Sequence, residues 1–134
     1  MTTGDRQAYL EAKIETLKQD LLTLGELRPG TLSEQYNVCG KAGCACKADP
    51  PRKHGPYYQV SFTWQGRSHT QFVRQENVAT TRQQLRNYER LRAVVEAWVA
   101  AGLELAALRF GTAPVRPRLR RKAVRRATTR AKSQ

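Results

Sequence analysis

The chain has 134 residues, which is room for one small domain and not for two independent cores. Hydrophobic residues make up 40% and aromatics 7%, so a domain this lean calls for a staple such as a metal ion, a disulfide or a partner chain. The net charge of +13 favours a polyanionic partner, and the lack of any run of about 18 apolar residues excludes a transmembrane helix.

The first predicted element is a helix over residues 5–27. Leu10, Ile14, Leu17, Leu21 and Leu24 step by three and four residues, the spacing of a coiled-coil seam, and charged residues fill the other positions. Gly25 weakens its last turn and Arg28-Pro29-Gly30 stops it. The polar start, Met1 to Arg6, leads into this helix and does not read as a secretory signal.

Residues 31–56 are rich in Gly, Pro, Cys and Lys with little periodicity, so they read as a loop that something must order. Residues 57–74 read as a β-hairpin. A two-residue Gln65-Gly66 turn would set Phe62 opposite His69; a three-residue Trp64-Gln65-Gly66 loop would set it opposite Ser68. The second is preferred, because Gln at positive φ is unfavourable and because it gathers Tyr58, Val60, Phe62 and Phe72 on one face. Gln59, Ser61, Thr63, Arg67, His69 and Gln71 then share the other.

A long helix follows over residues 80–110, with Thr80 and Gln83 as a capping box. Tyr88, Leu91, Val95, Trp98, Gly102 and Leu105 form its seam. The two helices pair with each other or supply a homodimer seam through 5–27 and 80–110, and the sequence does not choose. Residues 112–134 hold nine basic and no acidic residues and are expected to be a disordered basic tail. The fold class is therefore α+β: helix, long loop, hairpin and long helix in one domain over 1–111.

The chemistry concentrates in Cys39-Gly40-Lys41-Ala42-Gly43-Cys44-Ala45-Cys46, followed by His54. The three cysteines are an odd number, and with no secretory signal the thiols are expected to stay reduced in a cytoplasm, where clustered cysteines read as metal ligands. Three thiolates and one imidazole suit a single structural Zn2+ in a closed tetrahedral site, with Gly40 and Gly43 letting the backbone wrap the ion. An iron–sulfur cluster is a second use of such cysteines. His54 is the favoured fourth ligand because it directly precedes the Gly55-Pro56 step into the hairpin; His69 competes for that place.

The stretch Leu32-Ser33-Glu34-Gln35-Tyr36, the cysteine motif, and His54-Gly55-Pro56-Tyr57-Tyr58 together resemble a family of short uncharacterised bacterial proteins. That family carries a Cys-Gly-Lys-x-Gly-Cys-x-Cys … His-Gly-Pro-Tyr-Tyr signature before a hairpin and a long helix. The resemblance covers about residues 27–92 and implies that Cys39, Cys44, Cys46 and His54 occupy the motif positions, as do Gly55, Pro56, Tyr57 and Tyr58. It implies no activity, because the family is a domain of unknown function. Ala45 and the Asp49-Pro50-Pro51 insertion depart from the family pattern.

Charge carries the functional expectation. Residues 39–92 hold ten basic and three acidic side chains, and the tail adds its nine. Lys41, Lys47, Arg52, Lys53, Arg67 and Arg74 belong to the loop and hairpin. Arg82, Arg86 and Arg90 line one face of the long helix. Arg116, Arg118, Arg120, Arg121, Lys122, Arg125 and Arg126 lie in the tail. Such a spread suits phosphate contacts, so the expected role is nucleic-acid binding, with DNA placed ahead of RNA. The alternative is a coiled-coil assembly module. There is no Gly-rich phosphate loop, nucleophile elbow or HExxH motif, so no enzymatic activity is expected.

Overall fold

The structure is a computed structural model and describes residues 2–116 and Arg118. Its architecture is α+β: helix α1 (Thr3–Leu22), strand β1 (Thr31–Asn37), strands β2 (His54–Trp64) and β3 (Arg67–Val73), and helix α2 (Val78–Phe110). The strands form one antiparallel sheet in the order β1-β2-β3.

Helix α1 starts where Thr2 caps it. The Thr2 hydroxyl accepts from the Asp5 amide at 3.1 Å, and the Asp5 carboxylate accepts in return from the Thr2 amide. This reciprocal box also sets a negative charge at the positive end of the helix. The helix ends at Leu22, five residues before the sequence suggested. Beyond it the chain is stitched to α2 instead: Asn87 Nδ2 donates to the Glu26 carbonyl at 2.8 Å, and the Arg28 amide donates to the Gln84 carbonyl at 3.3 Å. Bonds to a neighbouring helix thus replace the last turn of α1.

The two helices pair within the chain, running in opposite directions. Arg6 meets Glu104 at 2.6 Å near one end, Arg90 approaches Asp20 at 3.8 Å near the other, and Lys18 sits over the Trp98 ring between them. Leu10, Ala101 and Leu105 form the core of this pair, with Ile14 and Leu108 packed against it. The seam of α2 differs in register from the sequence reading. Val94 and Ala101 are buried, whereas Val95 is 45% exposed. Steps of three and four from Leu91 allow either Val94 or Val95, and only packing against α1 selects the former. Nor is Thr80-Gln83 the cap: α2 starts at Val78, straight after a single 3-10 turn at Gln75–Asn77.

Strand β1 has no counterpart in the sequence pattern, which reads as loop throughout 31–56. It pairs along β2 with Leu32 opposite Val60 and Gln35 opposite Tyr57. Its Ser33-Glu34-Gln35 centre is polar on both faces, so the ladder to β2 holds it more than its own burial does. Gly30 makes the entry possible. At φ 135 its added Cβ would lie 2.7 Å from Val60 Cγ1 and 2.9 Å from the Ser61 carbonyl.

The hairpin uses the two-residue turn that sequence reasoning passed over. Trp64 pairs with Arg67 and Phe62 with His69, while Gln65 and Gly66 take φ values of 49 and 78. Positive φ at both turn residues matches the twist of the flanking strands. This register puts Val73, not Phe72, on the face of Val60: Val60 is fully buried and Val73 is 6% exposed, against 64% for Phe72. Burying Val73 outweighs the local cost at Gln65. Leu32 shares that covered face, and α2 packs against β1.

Gly111 closes α2 in the left-handed conformation, and the Thr112 amide donates to the Ala107 carbonyl at 3.1 Å. Pro114 and Val115 then line a groove with Ala100 and Leu103, so the first part of the expected tail lies beside α2. The rest of that tail, including Arg120, Arg121, Lys122, Arg125 and Arg126, lies outside the described residues. Among the described residues, no helix is long and apolar enough to cross a membrane.

Candidate metal centre

Three chain segments meet at one end of the sheet. Cys39 follows β1 by two residues, Cys44 and Cys46 flank the start of a 3-10 turn over Ala45–Lys47, and His54 opens β2. The turn is closed by the Lys47 amide on the Cys44 carbonyl at 3.0 Å and by the Arg52 amide on the Ala45 carbonyl at 2.9 Å. Gly43, at φ 76, gives the chain its reversal just before Cys44; Gly40 has no positive φ and plays no such part.

His54 is aimed from the other side by its neighbour. Gly55, at φ 137, passes so close to β1 that an added Cβ would lie 2.7 Å from the Gln35 carbonyl and 3.0 Å from Tyr36 Cδ1. Asn37 pairs with His54 across a shift in register after Gln35. The bulge and the glycine together bring the imidazole to the cysteines.

The ligand atoms of Cys39, Cys44, Cys46 and His54 all lie within 4.8 Å of one another. Cys39 Sγ is 3.6 Å from Cys46 Sγ, and Cys44 Sγ is 3.3 Å from His54 Nε2. A tetrahedral ion with bonds of about 2.0–2.3 Å has ligand–ligand edges of about 3.3–3.8 Å, so this quartet can hold one metal ion. His69 is not part of it. It stacks on Phe62 with centroids 5.0 Å apart, well along the hairpin.

The local fields suit the purpose. The Cys46 amide, the other two thiols and His54 hold the Cys44 thiol down to about 6, against the opposing effect of burial. Cys46 moves the other way: the Cys39 amide lowers it, but burial and the adjoining thiols outweigh that pull. Cys46 is 1% exposed, so its sulfur meets protein rather than water. A cation at the centre would offset the crowded negative charge that the thiolates create.

The structure scatters the predicted basic residues. Lys41, Lys47, Arg52 and Lys53 stand exposed around the metal loop. Lys41 lines an open groove of about 450 Å³ with Cys44, His54 and Tyr57. Arg67 and Arg74 lie seven residues apart at the two ends of β3, about 23 Å of extended chain. On α2, Arg82 is exposed, Arg86 donates to Gln83 at 2.9 Å, and Arg90 is held near Asp20. Arg116 and Arg118, also exposed, follow the far end of that helix. Tyr57, which the resemblance placed in the motif directly after Gly55-Pro56, forms a wall of the groove beside the metal quartet.

No curated protein and no solved structure matches the chain. A family model does match, over residues 7–83, from the first turns of α1 through the metal loop and sheet to the start of α2. This span begins earlier than the stretch from 27 on which the resemblance was drawn, and it includes the whole quartet. Because it covers more than half of the chain, the protein belongs to the family described as Domain of unknown function (DUF6788).

Proposed function

We propose that the protein is a zinc-stabilised nucleic-acid-binding accessory protein without catalytic activity. The zinc assignment rests on the Cys3His quartet with edges of 3.3 and 3.6 Å. Thiolate and imidazole at these spacings suit a single tetrahedral Zn2+; an iron–sulfur cluster would spread its ligands farther apart. Four protein ligands saturate such an ion, which favours a structural role over hydrolysis.

The nucleic-acid reading is carried by one observation. Lys41, Lys47, Arg52 and Lys53 are all exposed on the metal loop, where Asp49 is the single carboxylate. A fixed loop displaying four cations to one anion attracts phosphates, and the nine basic residues of 112–134 add to that attraction. A filter-binding titration on the full chain, with DNA and with RNA, tests it. Four phosphate contacts lower the affinity on the order of 10²-fold between 50 and 200 mM salt. An affinity that ignores salt, or no binding at the lower salt, contradicts the reading.

A second reading, assembly through the helices, has one observation in its favour. Val95, Val99 and Leu103 are 45%, 55% and 46% exposed at four-residue steps on α2, away from α1. Light scattering separates the two: a stable dimer that ignores nucleic acid supports assembly.

A further inference from the structure

We infer that the open face of the sheet is a platform for single-stranded nucleic acid, on which Tyr57 and Phe72 stack with bases. This rests on the reading that the protein binds nucleic acid, and it assigns the class and the site. The covered face carries Val60 and Val73; the open one carries Tyr57 and Gln59 from β2 and Phe72 from β3.

Two aromatic rings stand on that open face without a core to enter. Phe72 is 64% exposed and Tyr57 is 37% exposed, and their centroids are 6.4 Å apart at a tilt of 48°. Among the described residues nothing buries them, and exposed neighbouring aromatics suit an external π-partner. Their surroundings are those of a base reader. Gln35 is opposite Tyr57, and Gln59 is opposite Phe72, so an amide able both to donate and to accept lies beside each ring. Ser33 and Thr70 complete the polar surface around them.

Charge complementarity selects the occupant. The three strands hold one carboxylate, Glu34, and its pairing with Tyr58 puts it on the opposite face. The open face is therefore free of strand carboxylates. Cations border it where the rings are. Lys41 shares the groove that Tyr57 lines, and continuing the β2–β3 register by one step past β3 brings Arg74, whose exposed guanidinium also lies 4.0 Å from Glu76, opposite Tyr57. Phosphates of a bound strand would run beside these two cations while its bases lie on the rings.

The face suits a single strand better than a duplex, whose major groove takes a helix or a two-stranded ribbon more readily than a three-stranded sheet. A ring on a sheet surface also reaches only bases freed from their own stack.

The test is fluorescence anisotropy on the full, zinc-loaded chain, using a labelled 12-nucleotide single strand and the duplex of the same sequence. The double variant Tyr57→Ala/Phe72→Ala is expected to lose at least tenfold in single-strand affinity and less than twofold in duplex affinity. The ring-preserving pair Tyr57→Phe/Phe72→Tyr should bind the single strand within twofold of the parent, which separates stacking from loss of fold. Unchanged single-strand binding by the alanine variant overturns the platform, as does an equal loss on both ligands. If the parent chain binds neither ligand, the broader nucleic-acid reading fails and the platform fails with it. If it binds both while the alanine variant matches it, only the platform fails.

Discussion

Cys44 Sγ lies 3.3 Å from His54 Nε2, joining the 3-10 turn of the metal loop to the first residue of the central strand. The two stand ten positions apart in sequence, and β1 reaches the same point through Cys39. A metal ion held there would tie the edge strand, the loop and the central strand together. Loss of one ligand should therefore be felt well beyond the loop. Cys44→Ser is expected to cost on the order of 4 kcal/mol in urea unfolding, since metal loss belongs to the largest single-site effects. An unchanged unfolding midpoint would rule out a structural metal.

The backbone crossing that aims His54 is testable by itself. Gly55→Ala meets the Gln35 carbonyl at 2.7 Å from a positive φ, so it should destabilise by about 2–3 kcal/mol. Gly40→Ala meets nothing within 4 Å, and its effect should stay within about 0.5 kcal/mol. Thermal unfolding of the two variants side by side checks the contrast.

On α2, burial distinguishes adjacent valines. Val94 is 6% exposed and Val95 is 45% exposed. Val94→Ala should lose about 1–3 kcal/mol, and Val95→Ala about 0.5 kcal/mol or less. The reverse order, measured by denaturant midpoints, would mean that α2 turns its other face to α1.

Arg6 holds the Glu104 carboxyl below the usual carboxylate range, mainly through their hydrogen bond. A carboxyl lowered on folding stabilises above its unfolded pKa, and this contribution disappears as pH falls through the folded pKa. Wild type should thus be more stable than Glu104→Gln above roughly pH 5, with the two converging as the pH drops below about 4. The pair is partly exposed, so added salt should also narrow the gap. Urea midpoints across pH 3–7 give the readout, and a gap that widens in acid would contradict the sign.

Much of this architecture was legible because local rules and packing agree. Leu10 and Ile14 announced the inner face of α1, and Gly66 announced the hairpin. The Cys39, Cys44, Cys46 and His54 spacing foretold the quartet, because chelation of one ion makes its own demand on the chain. What was not legible depends on distant partners. Strand β1 has no clear apolar alternation, and it exists because β2 offers a free edge. The choice of Val94 over Val95 needs the surface of α1. The turn register is not legible locally, because the discomfort of Gln65 at positive φ counts for less than the distant burial of Val73. Phe72 went to the wrong face as a consequence, which hid its closeness to Tyr57.

The most direct measurement is elemental analysis of the purified full chain alongside Cys44→Ser, His54→Ala and His69→Ala. One zinc per chain is expected in the parent and in His69→Ala, with loss of zinc in the other two, because His69 stacks on Phe62 away from the quartet. Iron in place of zinc, a metal-free folded parent, or zinc retained by both the Cys44 and His54 variants would contradict a structural zinc at this centre.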